Sequence, residues 1–439
     1  MKTVGIIFLL MIMLVVSLVF LQVIWYNIVL TGYHLLIRVA SLFNKKARAW
    51  VNGRKNLFPA LQSGFHYPDH KKIWFHCASL GEFEQGRPVI EQIKKENPDC
   101  KILLTFYSPS GYEMRQNYAG ADYVCYLPAD TAANAKKFLD IVQPDLAVFI
   151  KYEFWYHHIN TLKKKNIPLY LVSGIFRKKQ IFFRWYGRIF RSMLKKYTRI
   201  FVQNKESVEL LHKIKIQQVE IAYDTRFDRV KEIAAAAQKP EYIEKFVADH
   251  NIIVAGSTWP DDEKILAAAF YHSLVYVNFK IIVVPHEVDA ANIKKTQKRF
   301  KKYSILYSEL PRATDADLRG KRVLIIDNIG MLASLYQFAD VNYVGGGFGK
   351  GVHNVLEAAV FGRPVMFGPN YKKFNEAVEL VRANAGFCVT DRFEMLNRIN
   401  LMNQFQFIFT NAGKDAENYV NSHTGGTQMI VEKLRPIFS

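Results

Sequence analysis

Cysteine is scarce in this sequence, and internal repeats and long low-complexity segments are missing from it. The four cysteines among 439 residues have neither the spacing of a zinc site nor that of a redox motif. Cys77 and Cys125 lie in apolar, strand-like runs, which indicates buried free thiols in a reducing compartment. The composition therefore excludes a fold held together by disulfides. Hydrophobic residues make up 50% of the chain, ample for two packed domains plus an appendage.

Charge is missing from a long N-terminal stretch. Residues 3–37 contain no Asp, Glu, Lys or Arg, and residues 4–30 are almost continuously apolar, more than the about 20 residues that a membrane-spanning helix needs. The run is too long for a signal peptide, and no small-x-small cleavage site ends it. Lys2 alone precedes it, whereas Arg38, Lys45, Lys46 and further basic residues follow, so the positive-inside rule predicts an uncleaved anchor (residues 1–37) with the rest of the chain in the cytoplasm. Spanning the bilayer and lying partly in its interface both fit this pattern.

Acidic residues are outnumbered, with 39 Asp+Glu against 59 Lys+Arg, a net charge of +20. Such an excess predicts an anionic partner: nucleic acid, anionic lipid or a phosphorylated substrate. The stretch 175–199 holds nine basic residues, seven aromatics and no acid. It fits stacking on single-stranded nucleic acid, an interfacial membrane surface, or a solvated basic face.

The apolar N-terminus favours the membrane for this stretch. We therefore predict basic side chains facing anionic headgroups, with aromatic side chains at the interface. The basic residues are Arg184, Arg188, Arg191, Lys195 and Lys196, and the aromatic residues are Phe182, Phe183, Trp185 and Phe190.

Short apolar runs alternate with amphipathic stretches through the chain. In the first half the runs are 73–77, 101–106, 123–126, 146–150, 169–172 and 199–202. The alternation predicts a parallel, doubly wound sheet, in which ligands sit beyond the carboxyl ends of the strands. Glu82 and Glu153 follow the first and fourth runs and are therefore expected at that edge. The second half repeats the pattern.

A glycine-rich turn follows the predicted strand 341–344. Gly345, Gly346 and Gly347 come first, and His353 then opens a predicted helix. Glycines let backbone N–H groups approach a ligand, and a helix N-terminus attracts phosphate. Glu357, one turn into the helix, is placed to accept hydrogen bonds from sugar hydroxyls. An ordinary αβ crossover has such glycines too, and the G-x-G-x-x-G dinucleotide fingerprint is not cleanly present.

This stretch resembles the donor-site segment of the 3-deoxy-D-manno-octulosonic acid (Kdo) transferases. In that family a glycine-rich turn leads to H-N-x-L-E, then to G-x-P-V-x-x-G-P and a Phe-Asn/Glu pair. The positions in register are His353, Asn354, Leu356, Glu357, Gly362, Pro364, Gly368, Pro369 and Phe374. Residues 78–82 are similar to the family's A-S-x-G-E motif, whose glutamate is the proposed general base, here Glu82. The resemblance spans residues 70–380.

The resemblance implies an α/β fold of the GT-B class, two doubly wound domains with a cleft between them. The implied domains are 38–232 for the acceptor and 233–439 for the nucleotide sugar, with the last helix a candidate to cross back. Family members are membrane-associated, inverting and metal-independent, and they use no cofactor. In agreement, no D-x-D stands after a strand; Asp122, Asp130 and the Asp315/Asp317 pair lie in unsuitable polar stretches.

The implied activity is transfer of Kdo from CMP-Kdo to the phosphorylated glucosamine disaccharide of a lipid A precursor (lipid IVA), in lipopolysaccharide core biosynthesis. The implied location is the cytoplasmic face of a bacterial inner membrane, with neither nucleic acid nor an obligatory protein partner. Glu153 and Arg177 are expected on the acceptor side or in support of it. The implied donor-binding residues are Ser257, Thr258, Pro285, His286, Ile329, Gly330, Met331, Gly346, Gly347, His353, Asn354, Val355, Leu356 and Glu357.

Three donor-side positions depart from the family's motifs. Trp259 replaces the histidine of G-S-T-H, His286 stands where P-R-H has arginine, and Met331 stands where M-G-E-L has glutamate. These departures leave open a variant that uses a nucleotide-diphosphate sugar and another lipid-linked acceptor. A third alternative is a membrane-tethered nucleic-acid-binding protein, favoured only by the charge and the stretch 175–199. Glycine turns at two separate strand ends speak against it.

Overall fold

The computed structural model describes residues 2–247, 250–273, 278–404 and 406–438, without the side chains of residues 2–20, 403 and 406. The chain divides into two compact units. The first combines Met1–Arg226 with Gly425–Ser439, and the second is Phe227–Thr424.

The first unit contains a parallel sheet. Its strands are β1 (Lys72–Cys77), β2 (Lys101–Phe106), β3 (Tyr123–Tyr126), β4 (Leu146–Ile150), β5 (Leu169–Gly174), β6 (Arg199–Val202) and β7 (Val219–Ile221). The spatial order is β3-β2-β1-β4-β5-β6-β7. All six apolar runs predicted in this half are strands, and β7 was missed. The chain reverses its direction of winding between β1 and β4, the place where doubly wound sheets bind ligands.

The helices of the first unit cover both faces of this sheet. They are α1 (Lys2–Ala40), α2 (Lys45–Asn52), α3 (Leu57–Gly64), α4 (Leu80–Glu96), α5 (Pro109–Arg115), α6 (Ala132–Val142), α7 (Tyr156–Lys164), α8 (Arg188–Leu194), α9 (Lys205–Lys213) and α20 (Gly426–Leu434). Short 3-10 helices lie at Ile181–Phe183 and Arg435–Ile437.

The helix α6 illustrates why these elements form. The Thr131 side chain accepts a 3.2 Å hydrogen bond from the Asn134 backbone N–H and so caps the first turn. Ala135, Phe138 and Leu139 recur at helical spacing and are fully buried. Burying a side chain such as Phe138 contributes about 1.5–3 kcal/mol, and truncating it to alanine would cost about 3–5 kcal/mol.

The C-terminal helix α20 belongs to the first unit. Its Ile430, Val431 and Leu434 are buried in one core cluster with Phe83 of α4. A Cβ atom on Gly426 would lie 1.9 Å from the Ala222 carbonyl oxygen, so only glycine allows this approach of helix to strand end. The chain thus returns to the first unit after completing the second.

The second unit is built in the same way around a second parallel sheet. Its strands are β8 (Asn251–Thr258), β9 (Phe279–Pro285), β10 (Ser304–Leu306), β11 (Val323–Ile325), β12 (Val341–Val344), β13 (Val365–Phe367) and β14 (Gly386–Cys388). The order is β10-β11-β9-β8-β12-β13-β14, so the winding reverses between β8 and β12.

The second unit begins with α10 (Arg226–Ala236), whose first residue is the last of the first unit, and further helices follow it. They are α11 (Ile243–Val247), α12 (Pro260–Ser273), α13 (Ala290–Phe300), α14 (Asp315–Leu318), α15 (Leu332–Leu335), α16 (Leu356–Ala359), α17 (Asn375–Arg382), α18 (Arg392–Gln404) and α19 (Gln406–Ser422). Short 3-10 helices lie at Lys301–Tyr303, Tyr307–Arg312 and Tyr336–Phe338.

Candidate active site

Glu82 lies at the point where the first sheet reverses its winding. It sits in the first turn of α4, directly after β1, and the Ser79 hydroxyl donates a hydrogen bond to its carboxylate. Its side chain is half-buried, so the carboxylate is held in place and still open to solvent. Burial raises the pKa of the neighbouring Cys77 thiol, and the negative charge of Glu82 raises it further. Cys77 is therefore a neutral thiol beside the Glu82 carboxylate.

Tyr152 and Arg177 form a pair at the same edge of the sheet. The Arg177 guanidinium donates a 2.9 Å hydrogen bond to the Tyr152 hydroxyl. Burial raises the pKa of Tyr152, while Arg177 opposes the rise and the charge of Glu82 adds to it. Arg177, Tyr152 and Glu82 therefore lie close enough together to influence one another electrostatically. Tyr152 was not singled out from the sequence, although it adjoins Glu153.

Glu153, in contrast, is buried, with 4% of its surface exposed. Its Oε2 lies 2.8 Å from His76 Nε2 and accepts a 2.6 Å hydrogen bond from Trp155 Nε1, while Tyr197 donates to its backbone carbonyl. This geometry favours the supporting role over direct contact with an acceptor. His76, the partner of Glu153 in this contact, lies in the apolar run of β1 and was not singled out from the sequence.

The glycine turn of the second unit is packed against the end of β8. A Cβ atom on Gly345 would lie 2.3 Å from the Ser257 carbonyl oxygen, and Gly346 has a φ of +89°. The Gly346 N–H donates a 2.9 Å hydrogen bond to Asp262, which also accepts from the Trp259 N–H at 2.8 Å. Gly346 thus shapes the predicted donor site while its own N–H is engaged within the protein.

Asp262 holds this turn from beneath. Besides the two backbone donors, it accepts a 2.6 Å hydrogen bond from the Tyr343 hydroxyl. Burial raises the pKa of Asp262, and the hydrogen bonds from Gly346 and Tyr343 oppose this effect. In the sequence, Asp262 is marked only by its position in the first turn of α12.

Three aromatic rings stand beside the turn. Trp259 Nε1 donates a 2.8 Å hydrogen bond to His353 Nε2, and the two rings are parallel to within 5°. The His286 ring stacks over both, with centroids 4.6 Å from Trp259 and 4.5 Å from His353. Burial, together with the nearby His286, lowers the pKa of His353 to about 4, so His353 is neutral at physiological pH.

The helix after the turn is shorter than predicted. It comprises only Leu356–Ala359, because Asn354 stays outside it and accepts from the Leu356 N–H at 3.2 Å. The Asn354 amide also donates a 2.9 Å hydrogen bond to Glu357, which is half-buried. Val355 and Leu356 are core side chains, so only their backbone groups are available to a ligand.

The remaining predicted donor residues differ in how accessible they are. Thr258 is buried and donates to Glu263 at 3.2 Å, whereas Ser257, half-buried, has a left-handed φ of +51°. Pro285 is buried at the end of β9. Ile329 is 88% exposed, Gly330 beside it has a φ of +98°, and Met331 packs against the core.

The basic stretch is partly structural. Arg184, Arg188 and Lys195 are exposed as predicted, and Trp185 is 89% exposed. Arg191, however, donates to the carbonyl oxygens of Phe182 and Arg184 at 3.0 and 2.6 Å and so holds the loop together.

The other predicted interface residues also point inward. Lys196 is half-buried over the Tyr156 ring, and burial lowers its pKa. Phe182 is buried, so its predicted position at the interface is wrong, whereas Phe183 and Phe190 are half-buried and pack against the core.

The helix α1 docks on the first unit through polar side chains. Tyr26 donates a 2.6 Å hydrogen bond to the buried Asp130, and Gln22 accepts from the Ile189 N–H at 3.0 Å. Asn27 Oδ1 lies 2.7 Å from His157 Nε2. The segment Leu21–Ala40 is long and apolar enough to cross a membrane by length and composition.

The opposite face of this segment is apolar and open. Its exposed residues are Leu21, Ile24, Trp25, Ile28, Val29, Tyr33, Leu35, Leu36 and Val39, followed by Leu42 and Phe43. A patch of this kind is typical of a lipid or protein contact.

The chain is similar to known proteins in both sequence and fold. Residues 51–229 match the family described as "3-Deoxy-D-manno-octulosonic-acid transferase (kdotransferase)". The 3-deoxy-D-manno-octulosonic acid transferase of Aquifex aeolicus is 28% identical over 333 residues, 74% of this chain and 84% of that protein.

A bifunctional glycosyltransferase/methyltransferase of Fusobacterium nucleatum is 27% identical over 392 residues, 84% of this chain. The chain spans only 58% of the length of that relative. Among solved structures, the UDP-GlcNAc 2-epimerase of Neisseria meningitidis aligns with a TM-score of 0.57 at 15% identity, covering 83% of this chain and all of that one. This likeness concerns the fold alone, and it confirms the predicted two-domain α/β fold of the GT-B type.

The two parallel sheets, the glycine turn after β12 and the carboxylate after β1 agree with the sequence matches. By these matches the chain is similar to the Kdo transferases, and it is a glycosyltransferase.

Proposed function

We propose that this protein transfers Kdo from CMP-Kdo to a glucosamine hydroxyl of a phosphorylated lipid A precursor, lipid IVA. The observation that carries the proposal is the position of Glu82 at the reversal point of the first sheet, in the loop that resembles the family's A-S-x-G-E motif. A general base is needed there because the attacking alcohol must lose its proton as its oxygen forms the new bond.

The proposed reaction is a single displacement that inverts the anomeric carbon. The Glu82 carboxylate takes the proton from the acceptor hydroxyl, and the hydroxyl oxygen bonds to the anomeric carbon of Kdo. The bond between this carbon and the phosphate oxygen breaks, and CMP leaves with the electron pair. The Ser79 hydrogen bond orients the carboxylate for this step. No metal ion takes part in this scheme.

The acceptor side is expected to recognise negative charge. Arg177 is exposed and tied to Tyr152, which lies close enough to Glu82 to feel its charge. A guanidinium in this position suits a phosphate of the acceptor, since arginine binds phosphate through paired N–H groups. Glu153 supports this loop from within the core through His76 and Trp155.

The donor side is expected in the second unit. The glycine turn, His286, His353 and the Asn354–Glu357 pair line one end of its sheet. Glu357 is placed to accept hydrogen bonds from the ribose of the nucleotide. CMP then leaves towards a region where ring nitrogens can donate to its phosphate.

The proposed location is the inner membrane, with both units in the cytoplasm. Support comes from the apolar segment of α1 and from the exposed Trp185, Arg184, Arg188 and Lys195. Aromatic and basic side chains together suit the headgroup region of an anionic bilayer.

The test is incubation of the purified full chain with CMP-Kdo and tetraacyl lipid A precursor, followed by mass spectrometry. Addition of one or more Kdo residues supports the proposal. Parallel reactions with UDP-sugars address the alternative donor. Turnover with a UDP-sugar but none with CMP-Kdo would overturn the proposed substrate and leave the glycosyltransferase fold unaffected.

A further inference from the structure

The rings of Trp259, His286 and His353 make a compact layer at the reversal point of the second sheet. The rings of Trp259 and His353 are parallel to within 5° and are joined by the 2.8 Å hydrogen bond between Nε1 and Nε2. His286 covers both from one side. Trp259 itself is held by its backbone N–H, which donates to Asp262.

The hydrogen bond determines which nitrogen of His353 carries the proton. The indole nitrogen can only donate, so His353 Nε2 must act as the acceptor. In a neutral imidazole the proton then resides on Nδ1. The partner of one ring nitrogen therefore turns the other into a hydrogen-bond donor.

The remaining ring nitrogens are uncommitted. Within the part of the chain that the structure describes, His353 Nδ1 and both nitrogens of His286 have no hydrogen-bond partner. The carboxylate nearest the turn, Asp262, already accepts from Tyr343, Gly346 and Trp259. Donors without acceptors, beside a glycine turn, are suited to an anionic ligand.

We propose that Trp259 is a positioning residue of the donor site, which fixes His353 as the Nδ1–H tautomer so that His353 and His286 donate to a phosphate group of the nucleotide. The inference rests on the proposed donor site in the second unit. It assigns a role to the position at which this chain has tryptophan instead of the histidine of the G-S-T-H motif.

A purely structural role for Trp259 predicts something different. If the indole only covers the neighbouring rings, its aromatic area matters and its N–H does not. Trp259→Phe retains an aromatic ring and removes the N–H, whereas Trp259→His restores a ring N–H in a smaller ring. Since Trp259 is 37% exposed, neither change empties the core.

The first experiment measures the tautomer directly. Nitrogen-15 NMR of the histidine side chains in the full chain, with His353 assigned from its loss in His353→Asn, reports which ring nitrogen is protonated. We expect Nδ1–H in the wild type and in Trp259→His, and loss of this preference in Trp259→Phe. An unchanged Nδ1–H tautomer in Trp259→Phe overturns the assignment.

The second experiment measures binding, with CMP as the probe and cytidine as the matched ligand without phosphate. Losing one hydrogen bond costs about 1 kcal/mol, so Trp259→Phe should weaken CMP binding by about 5- to 10-fold and leave cytidine binding unchanged. Trp259→His should keep the wild-type affinity. Equal losses of CMP affinity in Trp259→Phe and Trp259→His contradict the role of the N–H. Equal losses of affinity for CMP and for cytidine in Trp259→Phe contradict it as well.

A pair of amide variants tests His353 independently of Trp259. The side-chain amide of asparagine places its nitrogen near the position of Nδ1, and that of glutamine places it near Nε2. We expect His353→Asn to bind CMP more tightly than His353→Gln, and the reverse order would overturn the proposal. If the wild type binds neither CMP nor cytidine while the NMR result holds, the donor assignment fails and the positioning by Trp259 stands.

Discussion

Replacing Asp130 by asparagine should loosen α1 from the first unit. Asp130 and His158 are both fully buried, and four donors converge on the Asp130 carboxylate. Oδ2 accepts from the Tyr26 hydroxyl at 2.6 Å and from the His157 N–H at 3.0 Å. Oδ1 lies 2.9 Å from the His158 N–H and 2.6 Å from His158 Nδ1. A carboxylate suits this place because it accepts at both oxygens.

The expected loss of stability follows from the hydrogen bonds that an amide cannot accept. Asparagine offers one acceptor oxygen and one NH₂ group. With the NH₂ at the Oδ2 position, the Tyr26 hydroxyl can rotate to accept from it, but the His157 N–H is left without a partner. An unsatisfied buried donor costs about 1–3 kcal/mol. We take about 3 kcal/mol for Asp130→Asn.

The stability lost in Asp130→Asn should depend on pH in one direction. Burial alone would raise the pKa of Asp130, but the hydrogen bonds from His158 and Tyr26 overcome it and leave the pKa below its usual range. A depressed carboxyl pKa contributes stability above the pKa of the unfolded state, about 3.9, and this contribution is lost as the pH falls through the folded pKa. The deficit of the variant should therefore be largest near neutrality and shrink below about pH 4.

The assay is thermal unfolding in detergent, combined with hydrogen exchange of the α1 backbone. At about 2–4 °C per kcal/mol for a domain of this size, Tm of the first unit should fall by about 6–12 °C. Amides of α1 from Gln22 onward should exchange faster. Asp140→Asn is the matched control, because Asp140 is an exposed carboxylate on α6. Equal Tm values and equal α1 exchange for both variants would refute the reasoning.

Four further predictions concern the sites and the membrane. Glu82→Gln should lower kcat by about 10²–10⁴ while CMP affinity in calorimetry stays unchanged, and near-normal turnover would exclude Glu82 as the base. Glu357→Ala should weaken CMP binding by removing the acceptor for the ribose, and equal affinities would assign Glu357 a structural role only. In a chain lacking residues 2–20, changing Arg184, Arg188 and Lys195 to glutamine should lower partition onto anionic vesicles by about 100-fold, at about 1 kcal/mol for each charge. The control triple Lys294, Lys295 and Lys298 on α13 should have no such effect in vesicle sedimentation. Finally, because the pKa of His353 is about 4 when folded and 6.5 as the ordinary value, the unfolded state takes up its proton first as the pH falls. The second unit should lose stability from pH 6.5 towards pH 4, and His353→Asn should flatten this loss in thermal unfolding.

The strands could be predicted closely from the sequence, and the reason is physical. A parallel sheet covered on both faces needs strands that are apolar throughout, so each run of Val, Ile, Leu and Phe stands out. Strands β2, β3 and β4 begin and end where their apolar runs do. The strands β7, β10 and β14 were missed, since each contains a polar residue or a glycine that interrupts the apolar run.

Polar pairs across the sheet could not be predicted in this way. His76 meets Glu153 across 77 positions, and Asp130 meets His158 across 28. Such contacts depend on strand order, which local composition does not encode. Likewise, the charge of the stretch 175–199 predicted a surface, but it could not reveal that Arg191 donates to backbone carbonyls and that Phe182 faces the core.

The helix α1 is long enough both to cross a bilayer and to dock on the first unit. It runs over 39 residues, which at about 1.5 Å per residue is about 58 Å, nearly twice the about 30 Å of a bilayer core. Gln22 and Tyr26 fix the helix to the first unit, and the 20 residues before Gln22 span about 30 Å, the thickness of a bilayer core. Because Tyr26 reaches Asp130, and Asp130 holds the start of α7 just after the Glu153–Trp155 loop, the helix is coupled to the same unit that carries Glu82. Under the proposed function, we infer that α1 sets the height of Glu82 above the bilayer, where the membrane-bound acceptor would meet it.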